Sequence, residues 1–131
     1  MKDFRTLKVW EQAHMLTQSV YDLTLECPGL VRYGLAPQMR RASTSIGANI
    51  AEGCGRSGND GAEQWYFNAA LGSAASLEYL VLLAQDLRLI PNDYYEWFHQ
   101  MTVDIEAMLR SLLTKEKTTA SRAAASLTLV Q

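Results

Sequence analysis

The sequence predicts an all-α fold, an antiparallel up-and-down four-helix bundle. Apolar residues recur at steps of three and four in four separate segments, a spacing that is typical of amphipathic helices. Clusters of proline and glycine separate these segments, and no segment alternates polar and apolar residues for long enough to form a strand. Because the connections are short, consecutive helices are expected to pack antiparallel. The 131 residues suit a single domain.

The first two predicted helices each carry one apolar stripe. The first helix covers about residues 7–25, and Cys27-Pro28-Gly29 ends it because proline cannot donate to the helix ladder. Pro37 predicts the first residue of the second helix, which runs to about Gly53. The two stripes consist of Val9, Ala13, Leu16, Val20 and Leu23, and of Met39, Ala42, Ile46 and Ile50.

The second half of the chain predicts two longer helices. Residues 54–61 read as a glycine-rich loop, and the third helix follows over about residues 61–89. Its centre, Gly72 to Ser76, is built of small residues, which favours a close approach between helices. The fourth helix covers about residues 93–117, so residues 1–117 form the predicted bundle domain. Residues 118–131 form an Ala/Ser/Thr-rich tail, for which disorder and a frayed continuation of the helix both stay open.

Bulk charge argues against indiscriminate binding to nucleic acid. The formal net charge is −2, whereas affinity for nucleic acid comes largely from positive charges that neutralise phosphates. Only a local basic patch is compatible with this composition. No apolar run approaches the roughly 18 residues that span a bilayer, and the first ten residues lack the apolar core of a secretory signal. We therefore expect no membrane partner and a cytoplasmic protein with reduced thiols.

The sequence offers little for catalysis. His14 and His99 each lie on a helix without another histidine or cysteine one turn away, so neither predicts a metal site. Cys27 ends a helix, and Cys54 lies in the glycine-rich loop with Arg56 as the one neighbour that could lower its pKa; Cys54 could be accessible there. That loop lacks the ending of a phosphate-binding motif. We expect no enzyme activity, no catalytic residue, no metal, no cofactor and no small-molecule substrate.

One polar ridge on the second helix stands out. Arg41, Ser45, Asn49 and Glu52 follow one another at steps of four, four and three, which places them on one face. Polar groups beside an apolar stripe are costly when buried unpaired, so a hydrogen-bond network is expected, within the bundle or between subunits. Arg41 could pair with Glu78 of the third helix or with Glu52 of a neighbouring subunit.

Charge is distributed unevenly along the chain. Residues 32–56 contain four arginines against Glu52, a local +3, and residues 57–109 contain eight acids against Arg88, a local −7. Such a molecule can stack head to tail on copies of itself, and the same basic patch could meet RNA phosphates. A third interpretation is that the arginines of this segment form ordinary ion pairs on the protein surface. The arginines concerned are Arg32, Arg40, Arg41 and Arg56.

The second helix also carries a resemblance to a known family. The pattern Gln-x-Arg-Arg-Ala-x-x-Ser-Ile-x-x-Asn-Ile-Ala-Glu-Gly spans Gln38 to Gly53 and is followed by Arg56. It resembles the four-helix-bundle family encoded by intervening sequences in bacterial 23S ribosomal RNA genes. The likeness covers about Lys2 to Leu113. Flanking matches are Phe4, Leu7, Val9-Trp10, Ala13, Tyr33-Gly34-Leu35, Ala70, Gly72-Ser73 and Leu77-Glu78.

The resemblance implies a four-helix bundle that assembles into a ring, a homopentamer. A related class of bundle proteins, which serves diversity-generating retroelements, binds nucleic acid, and this analogy of fold suggests association with RNA or the ribosome as an alternative role. Two departures concern the polar network: Ala36-Pro37 stands where the family usually has a Ser or Thr cap, and Ser76 replaces a common acidic residue. The expected functions are therefore a non-enzymatic ring-forming protein or an RNA-binding accessory protein that uses the arginine patch.

Overall fold

The computed structural model describes residues 2–59 and 61–130, apart from the side chains of residues 116–121 and 128–130 in the last helix. All regular elements in this part of the chain are helices, which confirms the predicted fold class. A short 3-10 helix, Phe4–Thr6, precedes five α-helices. They are α1 (Lys8–Glu26), α2 (Pro28–Arg32), α3 (Leu35–Gly55), α4 (Ala62–Asp86) and α5 (Asn92–Val130).

The four long helices enclose one apolar core. α3 packs most extensively on α4, α4 packs on α5, and α1 lies between α3 and α5. The predicted stripes of α1 and α3 face inward, with the exception of the half-buried Ala42. The largest fully buried side chains include Leu16, Met39, Ile46, Ile50, Phe67, Leu77, Ile105 and Leu109.

The predicted start of the second long helix was wrong by two residues. α3 begins at Leu35, after Gly34 takes a left-handed conformation with φ of 81°. That conformation suits glycine because it has no Cβ. Pro37 therefore lies within the first turn of α3 instead of at its first residue. A proline is tolerated there because the first four N–H groups of a helix have no partner inside it. The short helix α2 was not predicted.

The loop predicted over residues 54–61 is shorter in the structure. α3 continues to Gly55, and Cys54 is completely buried, so the suggestion of an accessible thiol was wrong. The backbone N–H of Lys2 donates to the Cys54 carbonyl oxygen over 3.0 Å, which fastens the start of the chain to the end of α3. Burial is the main cause that raises the pKa of the Cys54 thiol, which keeps it protonated.

The small residues in the centre of α4 divide between the inside and the outside of the bundle. Ala74 is fully buried, whereas a Cβ on Gly72 would meet no atom within 4 Å. Gly72 itself therefore takes no part in a close helix contact within the protomer, whereas Ser73 lies against Ser45 of α3, with their hydroxyl oxygens 2.8 Å apart. The tightest glycine contact is at Gly53 of α3, where an added Cβ would lie 2.8 Å from Cε1 of Phe67.

Two further features concern the long helices of the second half. α5 continues through Val130, and the side chains of residues 122–127 are exposed, so the backbone of the predicted tail is helical over residues 118–130. Among the described residues, α4 is the one helix whose length and composition would suffice to cross a membrane. The expectation that no segment is apolar enough to span a bilayer therefore does not hold for the length and composition of α4. In the bundle, 39% of its most apolar window is buried, and a core helix of a soluble protein can meet the same criteria of length and composition.

Candidate functional site

The polar ridge on α3 forms a small hydrogen-bond network with α4. The hydroxyl oxygens of Ser45 and Ser73 lie 2.8 Å apart. The side-chain amide of Asn49 donates to the Ser45 hydroxyl over 3.0 Å and to the Ser45 carbonyl oxygen over 2.8 Å. These groups are half-buried, so their mutual bonds satisfy donors and acceptors that water reaches only in part. The network thus fixes the register of α3 against α4.

The two ends of the ridge do not join this network. Glu52 accepts a hydrogen bond over 3.1 Å from Nε of Arg56, the residue that follows the end of α3. Arg41 is exposed and makes no hydrogen bond or ion pair with any residue that the structure describes. The pairing of Arg41 with Glu78 is not formed within the protomer, because Glu78 faces α5. Its pairing with Glu52 of another subunit stays a prediction.

Glu78 belongs to a cluster that the sequence did not predict. Oε2 of Glu78 lies 4.0 Å from Nδ1 of His99, and the neighbouring Glu106 is only 5% exposed. One carboxylate oxygen of Glu106 accepts from Arg110 over 3.3 Å, and the other is buried and receives no hydrogen bond from an N–H or hydroxyl group of the described residues. Burial, followed by the hydrogen bond and charge of Glu78, raises the pKa of Glu106 to about 7. The carboxyl group of Glu106 is therefore partly protonated near neutral pH.

The four arginines of the predicted patch have different environments. Nε of Arg40 donates to the Thr24 hydroxyl over 2.9 Å, and its guanidinium lies 4.7 Å from the ring centroid of Tyr21. Arg56 is paired with Glu52, as described above. Arg32 and Arg41 are exposed and have no partner in the described part of the chain. The guanidinium groups of Arg32 and Arg41 are thus available to bind another molecule.

These two free arginines lie at one corner of the bundle, where α1 ends and α3 begins. Arg41 and Val31 line an open groove of about 650 Å³ beside Tyr21, Ala36, Pro37, Arg40, Thr44 and Ser45. Three large apolar side chains between the end of α1 and the start of α3 are exposed: Leu25 by 76%, Val31 by 60% and Tyr33 by 63%. We call Leu25, Val31, Arg32, Tyr33 and Arg41 the basic corner.

A groove of opposite charge lies on the other flank of α1, between α1 and α5. It has a volume of about 420 Å³ and is lined by Ser19, Asp22, Leu23, Glu26, Asp93, Tyr94, Trp97 and Phe98. The Tyr94 hydroxyl donates to Glu26 over 2.6 Å, and this bond is the main cause that raises the pKa of Tyr94. Trp97 is 43% exposed. We call this surface the acidic groove.

The histidines and cysteines occupy structural positions. His14 stacks on Trp10 with ring centroids 4.9 Å apart, and His99 stacks on Tyr95 at 5.4 Å. Burial raises the pKa of the Cys27 thiol, which disfavours the reactive thiolate. Within residues 2–59 and 61–130, no group of three histidine, cysteine or acidic side chains is arranged to hold a metal ion.

Comparisons with known proteins give a family and a structural relative. The family model described as 23S rRNA-intervening sequence protein matches residues 5–111. A crystal structure of a protein with unknown function from the S23 ribosomal protein family of Bacteroides thetaiotaomicron is similar, with a TM-score of 0.70 and 25% sequence identity. The likeness covers 80% of this chain and 97% of that chain. No curated protein matches. The residues matched by the family model include both the basic corner and the acidic groove.

Proposed function

Because this chain belongs to the 23S rRNA-intervening sequence protein family, we propose that it is a non-enzymatic bundle that assembles with copies of itself into a ring. The basic corner carries this proposal. Leu25, Val31 and Tyr33 are each more than half exposed there, beside the unpaired Arg32. Large apolar side chains that are exposed together mark interaction surfaces. Free arginines at their edge suit a partner surface that is acidic.

The proposed ring contains five copies, the number that the family resemblance implies. A ring arises when one patch of each copy contacts a different patch of the next and the rotation closes. The charge asymmetry between residues 32–56 and 57–109 suits such head-to-tail contacts. Both cysteines are free thiols, one of them buried, which fits a cytoplasmic protein.

The solution mass tests this proposal. Light scattering after size exclusion should give about five times the protomer mass of 14.6 kDa. Tyr33→Ser and charge reversal at Arg40 or Arg41 should lower the mass, because they remove apolar area or positive charge from this side of the bundle. Tyr79→Ser is the matched control, since Tyr79 on α4 is 61% exposed and Tyr33 is 63% exposed. A wild-type protein that runs as a single protomer would contradict the proposal.

The alternative function is an RNA-binding accessory protein that uses Arg32, Arg40, Arg41 and Arg56. One observation favours it: the guanidinium of Arg56 lies 5.4 Å from the ring centroid of Tyr66. The neighbouring Trp65 is 64% exposed and meets Tyr66 edge to face at 4.8 Å. Unpaired bases stack on exposed aromatic rings, and arginine adds attraction to phosphate.

Fluorescence anisotropy with a labelled single-stranded RNA tests this alternative. Binding should weaken as salt rises, because phosphate contacts release counterions. Trp65→Ala should weaken it further by about 1–3 kcal/mol, the usual value of one stacked base. Trp97→Ala is the control, because Trp97 lines a groove with three acidic side chains and with none of these arginines. Absence of measurable binding at low salt would exclude this role.

A further inference from the structure

We propose that the basic corner of one copy docks into the acidic groove of the next copy in the ring. This inference rests on the proposed function, since it names the two surfaces that would meet. The occupant of the acidic groove is thus a second copy of this chain, held by its free arginines. Contacts within a protomer do not cover either surface, so both surfaces keep charged and aromatic side chains exposed.

The chemistry of the acidic groove suits a guanidinium group. Asp22, Glu26 and Asp93 line this groove together with the partly exposed Trp97. Carboxylates bind arginine through paired hydrogen bonds, and the face of a tryptophan attracts the same cation. The bond from Tyr94 to Glu26 spans the two helices at this groove and holds the Glu26 carboxylate in place. A groove of this kind discriminates arginine from apolar or acidic partners.

The basic corner supplies matching groups. Arg32 and Arg41 are exposed and unpaired in the described part of the protomer, so docking breaks no ion pair there. Val31 and Tyr33 lie beside them and provide apolar area that leaves water on docking. Arg40 is held by Thr24 and Tyr21, and it is therefore not needed as a direct contact. The corner thus combines an apolar centre with charges at its rim, as interfaces commonly do.

The positions of the two surfaces allow a closed ring. Both lie near the C-terminal end of α1, one on the flank toward α2 and α3 and the other on the flank toward α5. Because the two surfaces are different and lie on opposite flanks of α1, each copy can contact two neighbours at once. Repetition of such a contact closes into a ring when the rotation between neighbours is a whole fraction of a turn.

A charge swap tests this pairing. One double variant, Arg32→Glu with Arg41→Glu, reverses the corner, and another, Asp22→Lys with Glu26→Lys, reverses the groove. At a concentration where the wild type is assembled, light scattering should find each double variant at the protomer mass of 14.6 kDa. An equimolar mixture of the two should give species above the protomer mass, because the reversed corner of one variant meets the reversed groove of the other, but five copies cannot alternate around a closed ring. A chain carrying all four substitutions should assemble on its own.

The control reverses two positive charges elsewhere. Lys8→Glu with Arg122→Glu changes the net charge by the same amount as the corner variant but lies outside both surfaces, and its mass should equal that of the wild type. Circular dichroism checks that each variant keeps its helix content. The milder changes Arg41→Gln and Asp22→Asn should each raise the protein concentration needed for assembly about tenfold, the usual effect of one lost charge contact.

The outcomes separate this inference from the proposed function. If the wild type assembles and both reversed double variants still assemble, the pairing of these two surfaces is wrong while self-assembly stands. If the double variants fall apart and the chain with all four substitutions does not recover assembly, the two surfaces do not contact each other. A wild type that never assembles overturns the proposed function and this inference together. RNA binding that is lost in the corner variant and not restored by the groove substitutions would favour the alternative function.

Discussion

The substitution Glu106→Gln should remove a pH-dependent weakness between α4 and α5. The pKa of Glu106 is raised from its ordinary 4.5 to about 7 by burial and by Glu78. Each unit of pKa shift corresponds to about 1.4 kcal/mol. The difference between the two values therefore corresponds to about 3 kcal/mol in the free energy of unfolding.

The sign follows from the raised pKa. The folded protein holds the proton of Glu106 more tightly than the unfolded chain does, so this stabilisation is fully present below about pH 4.5. It is lost as the pH rises through about 7, where Glu106 loses its proton in the folded protein. Glutamine keeps the size of the side chain and an oxygen acceptor for Arg110, but it cannot ionise. Its contribution to stability is therefore independent of pH.

Urea denaturation of both proteins at several pH values is the suitable assay. The protein concentration must be constant, since assembly adds to the measured stability. The advantage of Glu106→Gln over the wild type should grow by about 3 kcal/mol between acidic and mildly alkaline pH. Glu96→Gln is the control, because Glu96 is exposed on the same helix and should show no such change. Parallel pH profiles for the wild type and Glu106→Gln would refute the reasoning.

Two further predictions concern the packing of α3 against α4. Gly53→Ala should lower the free energy of unfolding by about 1–3 kcal/mol, because its Cβ would lie 2.8 Å from the buried ring of Phe67. Gly72→Ala should instead stabilise α4 by up to about 1 kcal/mol and leave the assembled mass unchanged, since its Cβ meets open space. Ser73→Ala should cost about 1 kcal/mol, because the hydroxyl of Ser45 loses its partner across the helices.

Thermal and urea denaturation of the purified variants measure all three changes. Equal stability of the two glycine variants would contradict the account of helix contact at Gly53. Ser76→Ala is the control for Ser73→Ala, because Ser76 lies one turn away on the exposed side of α4. If both serine variants lose the same stability, the hydrogen bond to Ser45 does not hold the helices together.

The fold could be predicted from the sequence because the spacing of apolar residues indicates which face of each helix is buried. The inward stripe of α1, from Val9 to Leu23, is buried as predicted. Helix boundaries were less accurate. Pro37 is compatible with several positions in a first helical turn, and the left-handed Gly34, which sets the start of α3, depends on the preceding short helix. Such boundaries depend on tertiary contacts that local patterns do not specify.

The candidate site was predictable in part. The helical spacing correctly placed Ser45 and Asn49 together, because a polar ridge on one helix is a local property. The cluster of Glu78 and Glu106 was missed, since these residues lie 28 positions apart and meet only when α4 packs on α5. The acidic groove joins α1 to α5 in the same way. The sequence alone contains no pairing signal for contacts of this range.

The most direct test of self-assembly is native mass spectrometry of the wild-type protein over a range of concentrations. The account predicts one dominant species at five times the 14.6 kDa protomer mass, which breaks into smaller species when the basic corner is reversed. A dominant species of 14.6 kDa at every concentration would contradict it.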